Sequence, residues 1–249
     1  AAEFVGHGVE ETQLGQFGVN FPSALAPVTV RTNCVVWSDW ATQPKVELAN
    51  GIRLDANYYY YPASWVQDRP GFMTGSGMPM RFADLDGTMI DVYQAATQMT
   101  DESNQTYPFT IDTLLDRALG AEGYYGVFTA DMHTDTAQPA QDDALVAAAQ
   151  ARGVPVVSAG QILKWIDGRN GSSFGALSWS GSTLSFTVAA AEGANGLYVM
   201  LPTAGPAGNL SGLTLSGAPV SFTTAVIKGV SYTLFPAAPG AYQAAYTGP

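Results

Sequence analysis

The sequence is poor in the residues on which several classes of site depend. It contains a single cysteine, Cys34, which excludes an internal disulfide framework and a zinc cluster built on cysteine. Ten Lys and Arg residues stand against 21 Asp and Glu residues, and the formal net charge of −11 argues against nucleic acid and anionic membrane surfaces as partners. No apolar run reaches the roughly 18 residues that cross a bilayer, so we expect no membrane insertion.

What the chain does contain is typical of a folded, exported protein. Hydrophobic residues make up 47% of the 249 residues and charged residues 12%, which predicts a sizeable core. A low content of Lys and Arg beside many Gly, Ser, Thr, Asn and Tyr residues favours a secreted or cell-surface location. The chain opens at "AAEFVGHG" without a visible signal peptide, so we expect a processed or truncated start.

The pattern before position 170 predicts an α/β domain, residues 1–170. Strand-like segments rich in Val, Ile, Tyr or Phe alternate with amphipathic helical segments. Their short connections favour parallel strands covered by helices. The predicted strands are 27–37, 51–61, 123–130 and 153–158, and the predicted helices are 110–122, 139–153 and 159–168.

After position 170 the helical periodicity disappears. Short alternating segments follow one another, separated about every 8–12 residues by turns of Gly, Pro, Ser and Asn, as in small all-β domains. The sequence therefore predicts a second domain, residues 171–249, which forms an antiparallel β-sandwich.

Polar side chains follow or interrupt the predicted strands, at the edge where parallel α/β sheets and barrels bind ligands. His133 comes just after the strand 123–130, and its imidazole is suited to proton transfer near neutral pH. A buried structural histidine is the alternative there, as internal salt bridges and turn caps are for the aspartates. The other polar residues in such positions are Arg31, Asn33, Asp55, Asn57, Arg81, Asp84 and Asp86.

Two further groups of residues are candidates for a site. His7 and Glu11 have the spacing of neighbours on one helical turn, and imidazole with carboxylate is a plausible metal-ligand pair, although this spacing also occurs by chance. Trp37, Trp40 and Tyr59 could stack on the apolar faces of sugar rings, whereas core filling is the commoner role of such aromatics. The glycine-rich stretch 71–82 predicts a loop over the strand ends.

With Glu3, Gly6, His7, Arg31 and His133 in this order, residues 1–170 resemble the polysaccharide deacetylase (NodB-homology) family. The segment "EFVGH" resembles that family's strand leading into the metal-binding H-[ST]-x-x-H motif, with Glu11 in place of the second histidine. "VRTNC" resembles the R-x-P-Y segment, with Arg31 at its arginine. "VFTADMH" resembles the late strand that ends in Leu-x-His, with His133 at the catalytic acid, and "GVPVVSAGQILKWI" fits the terminal strand and helix.

This resemblance implies a deformed β/α barrel that is only partial. The family's first strand, which carries paired aspartates, would lie upstream of Glu3. We therefore expect either a fragment of a longer protein or a divergent relative that works without that motif. In both cases an upstream segment or a neighbouring subunit should cover the open barrel edge, because an uncovered edge strand promotes aggregation.

The resemblance also implies an activity: a metal-dependent, carbohydrate-directed hydrolase that removes acetyl groups from a polysaccharide or oligosaccharide. A divalent metal, zinc in the first place, would be held by His7 and Glu11. Arg31 would orient a carboxylate that takes up a proton, with Asp55 as the candidate, while His133 protonates the departing amine. Trp37, Trp40, Tyr59, Asp84 and Asp86 are the candidate substrate-binding residues. The alternative from a different class is a non-catalytic glycan-binding or cell-surface structural module that kept this fold.

Overall fold

The computed structural model describes residues 2–32, 39–57, 63–71, 75–101, 104–123, 126–133 and 139–248. The chain divides into two compact units, Ala1–Gly160 and Gln161–Pro249. The division falls near the start of the last described helix and so earlier than the predicted boundary at residue 170.

The helices of the first unit flank short strands. They are α1 (Ala2–Asn20), α2 (Thr42–Ala49), α3 (Ala63–Val66), α4 (Phe109–Leu119) and α5 (Pro139–Ala151), and a sixth helix, α6 (Ala159–Gly171), crosses into the second unit. The predicted helices correspond to α4, α5 and α6. The segment "EFVGH", which resembles a strand of the deacetylase family, instead lies within helix α1.

Helix α4 forms where its apolar residues recur at helical spacing. Ile111, Leu114 and Leu115 are buried, and they belong to one core cluster with Ala148 and Ala149 of α5. The two helices are also joined by charge: Arg152, just after α5, pairs with Asp112 and Asp116 of α4, at 2.7 Å to each carboxylate.

The strands of the first unit are β1 (Thr29–Val30), β2 (Leu54–Asp55), β3 (Met80–Ala83), β4 (Met89–Gln94), β5 (Thr97–Thr100) and β6 (Thr129–Asp131). One sheet has the order β1-β2-β4-β3, in which β1, β2 and β4 are parallel and β3 is antiparallel to β4. A second sheet pairs β5 and β6 in parallel.

The two sheets are continuous along β2. The Ala95 N–H donates to the Asp55 carbonyl at 2.8 Å, and Thr97 Oγ1 donates to the Ala56 carbonyl at 2.8 Å. Strand β5 therefore runs in the same direction as β4, and β6 is parallel to β5. The carboxyl ends of β1, β2, β5 and β6 consequently lie at one edge. This edge carries the candidate site.

The first unit is thus mixed α/β with several sheets, and the strands in its described ranges form open sheets without closing a barrel. In these ranges β1 pairs only with β2. That an upstream segment or a neighbouring subunit covers the open edge stays a prediction.

The predicted strands are mostly longer than those observed. The strand predicted at 153–158 is wrong: this fully described segment pairs with no strand, and Val156 and Val157 are 57% and 49% exposed. Pro155 has no N–H to donate, and valines that face solvent gain nothing from a sheet. In 27–37, 51–61 and 123–130, strand pairing is limited to β1, β2 and β6, while residues 33–38, 58–62 and 124–125 lie outside the described residues.

The described residues after α6, which end at residue 248, form strands joined by turns. The strands are β7 (Ser173–Ser180), β8 (Thr183–Ala189), β9 (Tyr198–Pro202), β10 (Ala204–Gly205), β11 (Gly208–Leu215), β12 (Ala218–Pro219), β13 (Thr223–Ile227), β14 (Val230–Pro236) and β15 (Gly240–Thr247). The larger antiparallel sheet has the order β10-β11-β15-β8-β7, with β12 beside β11, and the smaller one has the order β13-β14-β9.

Both sheets contribute to one core, which makes this part a β-sandwich. Phe186 and Tyr242 of the larger sheet stack with their ring centroids 5.3 Å apart, and Phe235 of the smaller sheet packs on the Tyr242 ring. Phe235 and Tyr242 are almost completely buried.

None of the described helices has the length and hydropathy needed to cross a membrane.

Candidate functional site

The centre of the site is an imidazole–carboxylate pair formed by His133 and Asp101. Because β5 and β6 are parallel and Thr100 pairs with Asp131, the residues that follow each strand lie side by side. His133 Nδ1 lies 2.8 Å from Asp101 Oδ1, and the His133 backbone N–H donates to Asp101 Oδ2 at 3.1 Å. The Asp101 side chain is 8% exposed and that of His133 is 25% exposed. A buried carboxylate thus holds a partly accessible imidazole in place.

The hydrogen bond also determines the chemistry of the ring. A carboxylate accepts hydrogen bonds, so Nδ1 of His133 carries the proton that faces Asp101. Proton exchange with a substrate then falls to Nε2. This is the arrangement that a general acid or base needs: one nitrogen fixed by an orienting partner and the other available to chemistry.

A second charged pair lies at the same edge. Arg31 directly follows β1, and its Nη2 forms an ion pair with Oδ2 of Asp131, the last residue of β6. Both side chains are about a quarter exposed, at 22% and 24%. The pair therefore joins the carboxyl ends of β1 and β6, which are not neighbouring strands. Asp131 precedes His133 by two residues in the sequence.

Beneath this edge lies a buried polar network. Asn57 is 2% exposed, and its Oδ1 accepts hydrogen bonds from the N–H and the Oγ1 of Thr32, the latter at 3.0 Å. The Asn57 N–H in turn donates to Oδ1 of Asp55, which is completely buried. Asp55 therefore stabilises the segment after β2 by accepting this hydrogen bond. Because its side chain is completely buried, this position does not favour its expected role as the carboxylate that contacts substrate. Asp131, which is partly exposed, is better placed.

Asp84 and Asp86 lie at the other end of the sheet. They form the turn of the β3–β4 hairpin, and because β4 is parallel to β2, this turn is opposite the edge that carries His133. Asp84 Oδ2 pairs with Lys45 Nζ at 2.6 Å, and this hydrogen bond lowers the pKa of Asp84. The Thr88 N–H donates to Asp86 at 2.9 Å and lowers the pKa of that carboxyl. Both aspartates act as turn residues.

The predicted aromatic residues are not brought to the site within the described ranges. Trp40 is 63% exposed, and its Nε1 donates to the carbonyl of Ala83 at 2.8 Å, beside the same β3–β4 turn. Trp37 and Tyr59, together with Asn33 and Cys34, lie outside the described residues.

The predicted metal ligands both belong to helix α1. His7 and Glu11 keep the spacing of one helical turn, and the Glu11 side chain is exposed, whereas the His7 side chain lies outside the description. Among the side chains that are described, no three of His, Cys, Asp or Glu converge as metal ligands would. The described donors alone therefore do not fit a metal site, and the divalent metal stays a prediction.

Asp101 is the site residue that sequence reasoning missed. Strand β5 is buried at all four positions, yet it reads Thr-Gln-Met-Thr and so lacks the apolar pattern of a core strand. Its polar groups are satisfied internally: Thr97 bonds to Ala56, and Gln98 Nε2 donates to the Gly75 carbonyl at 2.9 Å. The only available sign was an aspartate directly after a β-prone stretch.

No protein-family model, curated protein or solved structure matches this chain.

Proposed function

We propose that this protein is a carbohydrate-directed hydrolase of the polysaccharide deacetylase type, with His133 as the group that transfers a proton. The observation that carries the proposal is the His133–Asp101 pair at the carboxyl ends of parallel strands, beside the Arg31–Asp131 pair. An oriented imidazole, a carboxylate and a cation at one edge are the parts that acyl-transfer chemistry uses.

Each residue has a role in deacetylation. Asp131, held by Arg31, accepts a proton from the attacking water, so that the water oxygen adds to the acetyl carbonyl. His133, as the imidazolium that Asp101 stabilises, donates a proton from Nε2 to the departing amine or hydroxyl. The C–N or C–O bond breaks, and acetate and the deacetylated sugar leave. General acid–base catalysis of this kind contributes typically about 10²–10⁴-fold to the rate.

The resemblance adds a divalent metal, with zinc first, on His7 and Glu11. No step above passes through it, because the described donors do not converge on a metal site. The class of substrate, a polysaccharide or oligosaccharide, and the secreted or cell-surface location likewise rest on the resemblance and on the composition.

The second candidate is a non-catalytic glycan-binding or cell-surface structural module that keeps the same fold. Such a module would bind sugars without turnover.

A single experiment separates the two candidates. The purified chain is incubated with N-acetylated chitin oligosaccharides and O-acetylated xylan oligosaccharides, each with zinc, with manganese and with a chelator, and released acetate is measured. Binding of the same oligosaccharides is followed by calorimetry. Acetate release supports the hydrolase, and binding without release supports the module. If the chain neither releases acetate nor binds the oligosaccharides, both candidates are rejected.

A further inference from the structure

The outer face of the smaller sheet of the sandwich is apolar, although antiparallel sheets usually turn polar residues outward. Along β9 the buried residues Val199 and Leu201 alternate with more exposed positions, and β14 shows the same alternation around Thr233 and Phe235. The outward positions on these two paired strands are Tyr198, Met200, Pro202, Tyr232, Leu234 and Pro236.

The larger sheet shows the usual arrangement. On β8 the core residues Phe186 and Val188 alternate with Ser185 and Thr187, and on β15 the exposed Gln243 lies between two buried residues. The outer face of the larger sheet therefore carries small and polar side chains, whereas the outer face of the smaller sheet is apolar. The apolar face is a property of the β9–β14 pair and not of the whole sandwich.

The two tyrosines of this face differ from the buried ones. Tyr242 and Tyr246 donate their hydroxyls to the carbonyls of Ala238, at 2.8 Å, and Pro202, at 3.0 Å. Tyr198 is 57% exposed, and neither its hydroxyl nor that of Tyr232 has a hydrogen-bond partner in the part of the chain that the structure describes. Both rings thus combine an apolar surface with an uncommitted donor and acceptor.

The dimensions of the face decide between possible occupants. The two strands β9 and β14, with five paired positions, cover about 10 Å by about 17 Å, or roughly 170 Å² in projection. A stable protein interface buries about 800 Å² on each partner, so a second copy or another protein would gain too little here. A chain of sugar rings needs less area.

The position of the tyrosines fits such a chain. Pro202 pairs with Tyr232 and Pro236 pairs with Tyr198, so the tyrosines lie at opposite ends of the β9–β14 pair. Their Cα atoms are therefore about 14 Å apart along the strands. Several sugar rings span this distance, with apolar ring faces on the tyrosines and hydroxyls beside the phenol groups. The sandwich, residues 172–249, contains a single acid, Glu192, and a single base, Lys228, so it has no cluster of positive charge to attract an acidic polysaccharide.

We propose that the outer face of β9 and β14 binds an extended, uncharged polysaccharide chain through Tyr198 and Tyr232. The choice of a glycan as ligand rests on the proposed function, whereas the site itself is distinct from the strand-end residues of the first unit. It would hold the enzyme on a polymer while catalysis takes place at His133.

The test measures retention of the 249-residue chain on insoluble chitin, cellulose and xylan. We expect the wild type to be retained on at least one of them. Tyr198→Ala and Tyr232→Ala should each weaken binding about tenfold, which corresponds to about 1.4 kcal/mol. The corresponding Tyr→Phe variants keep the aromatic ring, so their binding to the polymer should weaken less than that of the Ala variants. Gln243→Ala, on the exposed outer face of the larger sheet, is the matched control and should bind as the wild type does.

The outcomes are distinguishable from a failure of the proposed function. Acetate release from short soluble oligosaccharides should be unchanged in both tyrosine variants. A wild type that binds polymer through the tyrosines but releases no acetate would reject the hydrolase and keep the glycan face. No retention on any polymer, equal retention of the tyrosine variants, or a dimer in light scattering that these variants abolish would overturn the inference.

Discussion

Replacing Asp101 with Asn tests whether this carboxylate orients His133. The carboxylate accepts two hydrogen bonds from His133, one from Nδ1 and one from the backbone N–H. Asparagine has one acceptor oxygen and an NH₂ group, so either one of these donors faces the NH₂ group or the ring proton moves from Nδ1 to Nε2. At 8% exposure water hardly replaces the lost bond, and we expect the free energy of unfolding to fall by about 1–3 kcal/mol.

The more specific readout is the tautomer of the ring. In the wild type, neutral His133 should carry its proton on Nδ1, and in Asp101→Asn this preference should be lost. Nitrogen-15 NMR can follow this directly, because the chain has only two histidines. Acetate release should fall by about 10²–10⁴-fold, the contribution of acid–base catalysis.

The matched control is Asp91→Asn. Asp91 is 48% exposed and pairs with Arg53 at 2.9 Å. Loss of such a surface pair costs about 0–1 kcal/mol and should change neither the tautomer nor the rate. A wild-type His133 with its proton on Nε2, or an Asp101→Asn variant with unchanged tautomer and rate, would refute the orienting role.

Three further predictions follow from other parts of the structure. Arg31→Met should lower acetate release and also cost about 1–3 kcal/mol in urea unfolding, because it leaves the three-quarters-buried Asp131 carboxylate without its partner; an unchanged rate of acetate release would contradict the role of Arg31. Phe235→Ala should cost the sandwich about 3–5 kcal/mol in urea unfolding, since this ring is completely buried; a smaller loss would mean that the two sheets do not share this core. The ion pair with Lys45 lowers the pKa of Asp84 below its ordinary value of 3.8, so its stabilisation is present above pH 3.8 and lost as pH falls through the folded-state pKa; the melting temperatures of wild type and Asp84→Asn should therefore differ at pH 7 and converge well below pH 3.8.

Elements with strong periodicity could be predicted from the sequence. The helix predicted at 110–122 is observed as α4, and its pattern places Leu114, Leu115, Ala118 and Leu119 on one side. Leu114 and Leu115 are buried as this pattern predicts, whereas Leu119, the last residue of the helix, is 60% exposed. Helix α1 was not predicted, because it contains several glycines that disfavour helices. The β3–β4 hairpin falls partly in a glycine-rich stretch that predicted a loop, so its reversal of chain direction was missed.

That reversal explains much of what the sequence could not show about the site. Arg31 and His133 were expected at strand ends, and the structure brings them to one edge, because β1 and β6 run in the same direction. Asp84 was expected there as well, but the direction of a strand cannot be read from local composition. Asp101 escaped notice because the strand before it is buried through hydrogen-bonded polar residues instead of apolar ones.

The most direct test of the central claim compares acetate release from N-acetylated chitin oligosaccharides by the wild type and by His133→Gln. Each protein is assayed at the same number of degrees below its own melting temperature. Glutamine can still hydrogen-bond to Asp101 but cannot transfer a proton. The account predicts measurable release by the wild type and at least about 10²-fold less by the variant, with little change in stability, because the backbone hydrogen bond to Asp101 is kept and glutamine can replace the one from Nδ1. Equal release by both proteins, or no release by the wild type with any added metal, would contradict it.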